Sequence, residues 1–280
     1  MKTREEIVRA LESYCKVRGS QNKAAATMKG VSSGTISQML NGKWDLITEK
    51  MWQTVEGYVC SVLADWNAAE TKTFKELTTL FSAAQRESLV VCVTGEPGTG
   101  KSFASKIYEK ENKNVFRVAC SEYWTKSDFV EELLRVSGEE RSGQGYNKSM
   151  KMMYALAGFK TKKQPLIIFD EFDKLTDSCW YMFITLYNEL EDRCGIVTLS
   201  TNYIEKRISM GLRRNRKGYK EIWSRLGNTC VELSGVGMDD VKKVCEANGV
   251  NEQVVVDDIV EISRGDLRKA KKRIFNAKRR

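Results

Sequence analysis

Apolar positions along the chain change their rhythm near residue 88. The first 60 residues read as short helices, and the stretch that follows, VLADWNAAETKTFKELTTLFSAAQRE, is amphipathic with no strand signal. From Leu89 onward come compact apolar runs, LVVCVTG, NVFRVAC, PLIIFDE, GIVTLSTN and NTCVEL, separated by helical stretches such as SDFVEELLRVSG and CWYMFITLYNELEDR. Strands that are apolar on both faces, with helices between them, predict a parallel sheet covered on both sides. Beyond about residue 235 the strand signal stops, and MDDVKKVCEANG, VVDDIVEISRG and DLRKAKKRIFNAKRR read as helices. The pattern divides the chain into a small all-α domain (1–60), a helical connector (61–87), an α/β core (88–234) and a helical cap with a basic C-terminus (235–280).

Within the first segment, SQNKAAATMKGVSSGTISQMLNGKW fits two short helices joined by a turn. Gly30 allows the turn, and Ile36 and Leu40 are expected to face the core. The stretch resembles the helix-turn-helix of phage repressors. That resemblance places Ser33, Gly34 and Gln38 toward base edges and Asn41 and Lys43 near phosphates. No arginine stands among these positions to grip guanine in a bidentate manner, so any reading of DNA sequence would be weak. The alternative is a helical bundle that makes protein contacts.

With 280 residues and 41% hydrophobic content, the chain can form one large domain and a small appendage. No run approaches the roughly 20 apolar residues of a membrane span, and MKTREEIVRALESYC carries charges where a secretory signal needs an apolar stretch. The expected location is cytoplasmic. Histidine is absent and the 8 cysteines contain no CxxC pair, which removes zinc sites and histidine bases together. The cysteines are expected to be small buried apolar residues in a reducing compartment. The net charge of +9 is local. Lys206 to Arg225 and Arg264 to Arg280 are both strongly basic, and the rest is net acidic. Such blocks meet phosphate backbones or form solvated faces.

The chemistry is concentrated in GEPGTGKS, residues 95–102, between a strand run and the helix KSFASKIYEK. Two glycines, a lysine and a hydroxyl residue at these offsets form a phosphate loop. Its backbone N–H groups wrap a β-phosphate, Lys101 neutralises β and γ oxygens, and Ser102 offers a hydroxyl to magnesium. Gly95, Glu96, Pro97, Gly98, Thr99, Gly100, Lys101, Ser102 and Phe103 are the expected ATP contacts. Some seventy residues later, LIIFDE delivers Asp170 to the magnesium ion and Glu171 to the attacking water as a general base. The next strand ends at Asn202, which either positions water or caps the following helix.

Phosphate loop, acid pair and polar strand tip together resemble the AAA+ ATPase family. The resemblance implies a P-loop α/β core with a small helical lid. It also implies that Arg225 in EIWSRLGN reaches the γ-phosphate of a neighbouring subunit, and that Arg268 in ISRGDLRKAKKRI touches the nucleotide of its own subunit. Either arginine could instead be a surface charge. A repressor-like front end on a compact AAA+ core resembles the transposition-regulator group of Mu phage protein B, TnsC, TniB and IstB. Membership of that group implies ATP and Mg2+ as cofactors and ATP-dependent self-assembly on double-stranded DNA with weak sequence preference. It further implies marking of a transposition target, stimulation of a transposase and disassembly on hydrolysis. Lys126, Arg213, Arg214, Arg216 and Lys217 are the candidate phosphate contacts, with Lys271, Lys272 and Arg273 as a further cluster. Tyr123 and Trp124 either pack on sugars or anchor in the core. The competing readings are a helicase loader or initiator of the same fold, and an ATP-switched transcriptional regulator.

Overall fold

The computed structural model describes residues 3–18, 20–28, 30–59, 66–139 and 147–278. It divides into two compact units, Met1–Asn67 and Ala68–Arg280.

In the first unit, α1 (Arg4–Arg18), α2 (Gln21–Ala26), α3 (Ser33–Leu40) and α4 (Glu49–Val59) enclose a core of Ile7, Leu11, Ile36, Met39, Trp52 and Val55. Gly30 takes φ +82° in the turn before α3, a conformation that costs glycine least. Ser32 caps α3 by accepting from the Thr35 amide at 3.0 Å. Ile36 is fully buried as expected, but its core partner is Met39; Leu40 is only partly buried at the margin. The inward stripe follows the i, i+3 spacing here.

The second unit contains α5 (Lys72–Glu87), β1 (Val90–Thr94), α6 (Lys101–Glu111), β2 (Val115–Ala119), α7 (Lys126–Ser137), α8 (Lys148–Lys160) and β3 (Leu166–Asp170). It continues with α9 (Asp177–Leu190), β4 (Gly195–Ser200), α10 (Tyr203–Arg213), α11 (Tyr219–Arg225) and β5 (Val231–Glu232). Three helices close it: α12 (Met238–Ala247), α13 (Gln253–Ser263) and α14 (Leu267–Ala277). The five strands are parallel in the order β2-β3-β4-β1-β5. Alternate residues of β3 serve opposite faces, as a strand's two-residue period requires. Ile167 and Phe169 join the core formed with α7, α8 and α9, while Leu166 and Ile168 join the one formed with α5 and α6.

Residues 60–65, at the start of the expected connector, lie outside the described residues. Most of the remainder, Lys72–Glu87, is helix α5. Helix α5 belongs to the second unit, because Leu77, Phe81 and Ala84 bury their amphipathic face with Val93, Val197 and Leu199 of the sheet. The closing helices are tied to it at its start. Thr73 Oγ1 donates to the Gly235 carbonyl at 2.8 Å, and Asp240 Oδ1 accepts from the Lys72 amide at 2.8 Å.

The expectation that all cysteines are unpaired fails at two positions. Cys92 on β1 and Cys230 just before β5 form a disulfide, with Cα atoms 4.6 Å apart across a sequence separation of 138. Adjacent parallel strands bring them together, which local sequence cannot reveal. Cys15, Cys120, Cys179, Cys194 and Cys245 are free and buried. Burial pushes the Cys194 thiol up to about 12, so it stays protonated and unreactive.

Candidate functional site

In the strand order, β1, β4 and β3 are successive neighbours, so the loops leaving their C-terminal ends share one edge of the sheet. The register aligns Thr94 with Ser200 and Asp170 with Leu199. This is the edge where open α/β sheets bind ligands.

The loop from Gly95 to Ser102 turns on Gly98 at φ +86° and Gly100 at φ +95° and runs into the N-terminus of α6. Thr99 Oγ1 closes it by donating to the Glu96 carbonyl at 2.8 Å. The first-turn amides of α6 and the positive end of its dipole face this loop, which suits an anion. Lys101 Nζ lies within the loop, donating to the carbonyls of Gly95 at 2.5 Å and Glu96 at 2.9 Å. Burial lowers its pKa, Asp173, Asp170 and Glu96 oppose that shift, and the Arg268 charge adds to it.

Asp170 ends β3 with its side chain 6% exposed. Its Oδ1 accepts from Ser102 Oγ at 3.0 Å and its Oδ2 from Arg117 Nη1 at 3.0 Å. Burial raises its pKa; the Ser102 hydrogen bond and the Arg117 charge pull the other way without cancelling it. A hydroxyl and a carboxylate side by side are hard oxygen donors, the ligand type that magnesium takes beside nucleotide phosphates. These two residues therefore fit that ion.

Glu171 sits at φ +60°, a left-handed conformation uncommon for a residue with a side chain. Glu171 Oε2 pairs with Lys174 Nζ at 2.8 Å. Asn202 precedes α10 but makes no side-chain cap. Its Nδ2 instead donates to Glu96 Oε1 at 3.3 Å and Glu232 Oε1 at 3.2 Å, which places the amide beside the phosphate loop. The backbone of Leu267 donates to the Gly98 carbonyl at 2.9 Å, and a Cβ on Gly98 would overlap the Asp266 carboxylate. The start of α14 therefore rests directly on the loop.

Arg225 is placed elsewhere. It ends α11, with Nε donating to Asn188 Oδ1 at 2.9 Å and its guanidinium 5.7 Å from the Tyr187 ring centroid. None of its described contacts is with the loop. Arg213, Arg214, Arg216 and Lys217 are exposed around the turn between α10 and α11, and Lys126 is exposed at the start of α7. Trp124 packs against the core at 6.5 Å from Phe129, which settles it as an anchor, whereas Tyr123 is 84% exposed. In the first unit, Gly34, Asn41 and Lys43 are exposed and Ser33 and Gln38 half-buried; Asn41 Nδ2 donates to Ser37 Oγ at 3.1 Å.

Sequence reasoning missed Arg117, Asp173 and Asp266. A charge inside the apolar run NVFRVAC was the available signal for Arg117. Asp173, whose Oδ2 accepts from Thr201 Oγ1 at 2.5 Å, and Asp266 had none beyond their proximity to known motifs.

Residues 84–208 match the AAA domain family. The ORC1 protein of Aeropyrum pernix, solved in complex with DNA, shares the fold at a TM-score of 0.56 and 14% identity over 80% of this chain and 64% of that chain. With the parallel sheet and the loop geometry, these define an AAA+ P-loop fold. The chain is similar to the ATP-dependent target DNA activator B of Escherichia phage D108, 24% identical over 85% of this chain and 77% of the relative. The protein of that name from Escherichia phage Mu is 23% identical over 82% of this chain and 73% of its own. Residues 84–208 thus carry an AAA domain, and over most of its length the chain is similar to these phage activators.

Proposed function

We propose that this protein hydrolyses ATP and uses the bound nucleotide to assemble on duplex DNA. There it marks a transposition target and stimulates a transposase, and hydrolysis releases it. The observation that carries the enzymatic part is the 3.0 Å contact of Ser102 Oγ with Asp170 Oδ1 at the mouth of the phosphate loop, next to Glu171.

In this reading the loop amides bind the phosphates, and Lys101 turns from its carbonyl partners to the β and γ oxygens. Ser102 and Asp170 hold magnesium, which when bound neutralises phosphate charge. Glu171 leaves Lys174 and accepts a proton from the attacking water, while Asn202 orients that water. The phosphoryl group passes to the water oxygen, giving ADP and phosphate. Arg268 steadies the nucleotide from the lid. Arg225 lies away from its own loop, which supports action on a neighbour's nucleotide and so couples assembly to turnover.

Similarity over most of the chain to proteins named target DNA activators, together with the exposed basic turn after α10, supports the DNA-directed part. Phosphate-tracking contacts give salt-sensitive, sequence-tolerant binding, which suits target marking. The test mixes the protein with nonspecific duplex DNA and either ATP or a slowly hydrolysed analogue, then images it and measures phosphate release. ATP-dependent assemblies on any duplex are expected, and Glu171→Gln should trap them. Binding confined to one operator or to single strands would count against the reading.

A further inference from the structure

The N-terminus of α9, the length of α10 and the start of α11 enclose a cleft of about 350 Å³ outside the phosphate loop. Arg207, Arg214, Arg216, Asp177, Tyr203 and Tyr219 line it. Three guanidinium groups face one carboxylate, so the cleft is strongly cationic.

Its inner wall is built and rigid. Asp177 Oδ1 accepts from Arg207 Nη2 at 2.6 Å and Tyr219 Oη at 2.8 Å, and Asp177 Oδ2 accepts from Arg216 Nη1 at 3.4 Å. Arg207 Nη1 also donates to the carbonyls of Asp173 at 2.8 Å and Leu175 at 2.7 Å, and its guanidinium lies 3.8 Å over the Trp180 ring. Tyr219 lies so close to Gly211 that a Cβ there would overlap its ring. Arg207 and Asp177 are thus used up in forming the wall.

The outer side differs. Among the described residues, the Arg214 guanidinium has no acceptor, the Tyr203 hydroxyl has no partner and Tyr203 is 52% exposed. Lys206, Arg213, Lys217 and Lys220 are exposed on the same helices and turn. The cleft therefore offers N–H and O–H donors in a fork while its one carboxylate is already engaged. Planar forked donors match the paired non-bridging oxygens of a phosphate.

We propose that this cleft is a phosphodiester-binding site: Arg214 and Arg216 hold the non-bridging oxygens of one DNA-strand phosphate, with Tyr203 against the adjoining sugar. The assignment rests on the duplex-DNA reading above and names the place where the strand is gripped. Free phosphate compounds share this chemistry, and the test separates the two sources.

Duplex binding is titrated by fluorescence anisotropy across a salt series with a slowly hydrolysed ATP analogue, for the unmodified protein, Arg214→Ala, Arg214→Gln and Arg214→Lys. Thermal melting and ATP affinity serve as controls for folding. One neutralised phosphate contributes a slope of about −0.9 in log K against log salt, which is a factor of about 8 between 1 M and 0.1 M salt. Arg214→Ala and Arg214→Gln should lose about that factor at 0.1 M and make the slope shallower by about one; Arg214→Lys should keep the slope. Unchanged affinity and slope in both neutral variants overturn the site while leaving the DNA reading intact. Failure of the unmodified protein to bind duplex DNA overturns both. In a Lys101→Ala background, pyrophosphate binding that Arg214→Ala abolishes, with duplex binding unaffected, assigns the cleft to free phosphate and overturns the DNA assignment.

Discussion

Arg117 Nη1 lies 3.0 Å from Asp170 Oδ2, joining β2 to the acidic end of β3 beside Ser102 of the glycine loop. Both side chains are largely buried, at 17% and 6% exposure, so Asp170 depends on this cation. Removing one member of a buried pair leaves an uncompensated charge and costs about 3 kcal/mol. Arg117→Ala should lower stability by that order in urea denaturation and push the Asp170 carboxyl further up. Magnesium-dependent ATP binding should then begin to fail at a higher pH than in the unmodified protein. A stability change below about 0.5 kcal/mol would show that the pair is solvated and dispensable.

Burial opposes ionisation of Asp177, but the hydrogen bonds from Arg207 and Tyr219 and the charges of Arg207 and Arg216 outweigh it and hold the carboxyl below its usual range. A depressed carboxylate contributes stability above the unfolded value of about 3.9, and that contribution is lost as pH falls through the folded value. Thermal melting of Asp177→Asn should therefore fall below the unmodified protein at pH 7. The gap should begin to narrow as pH falls below about 4 and close once the folded carboxyl is itself protonated. A gap that stays constant with pH would assign the effect to packing.

Gly98→Ala meets two penalties at once. Its φ of +86° disfavours a side chain, and the added Cβ strikes the Asp266 carboxylate that caps α14. The backbone term alone costs about 1 kcal/mol or more, and relief of the clash displaces the lid from the loop. ATP affinity should fall together with melting temperature. Gly30→Ala supplies the control: its φ is +82° with nothing near the new Cβ, so only the backbone term applies and ATP affinity should hold.

Arg225→Ala should leave ATP binding intact, because none of the residue's described contacts is with its own phosphate loop. Assembly-stimulated phosphate release should fall by about 10³-fold or more, the range of an arginine supplied by a neighbour. Equal turnover at high and low protein concentration in the unmodified protein, unaltered by the substitution, would end the intersubunit assignment.

Peptide mapping without reductant should recover the Cys92 and Cys230 peptides linked, and reduction should separate them. Recovery of both as free thiols under alkylating quench would show that the strands approach without bonding.

The phosphate loop, the acid pair and the five strands were readable from the chain because each is a local pattern. Strands buried throughout, as β3 and β4 are, impose unbroken apolar runs, and the tight loop at 95–102 needs glycine at Gly98 and Gly100 in left-handed backbone. Asn202 was legible as a strand tip, but its choice of Glu96 and Glu232 over a helix cap depended on which loops became neighbours. Helix α5 misled as a connector because an amphipathic stretch does not say which surface its apolar face will cover.

Sequence by itself thus determined the fold class, the glycine loop at 95–102 and the acid pair Asp170 and Glu171 at the end of its strand, since backbone conformation and burial period act over a few residues. The tertiary structure alone decided the partners: Arg117 for Asp170 across 53 residues, Cys92 for Cys230 across 138, and Arg207 and Tyr219 for Asp177 across 30 and 42. These contacts form only where strand order and helix packing bring distant side chains within hydrogen-bonding or covalent reach, and no local periodicity encodes that distance.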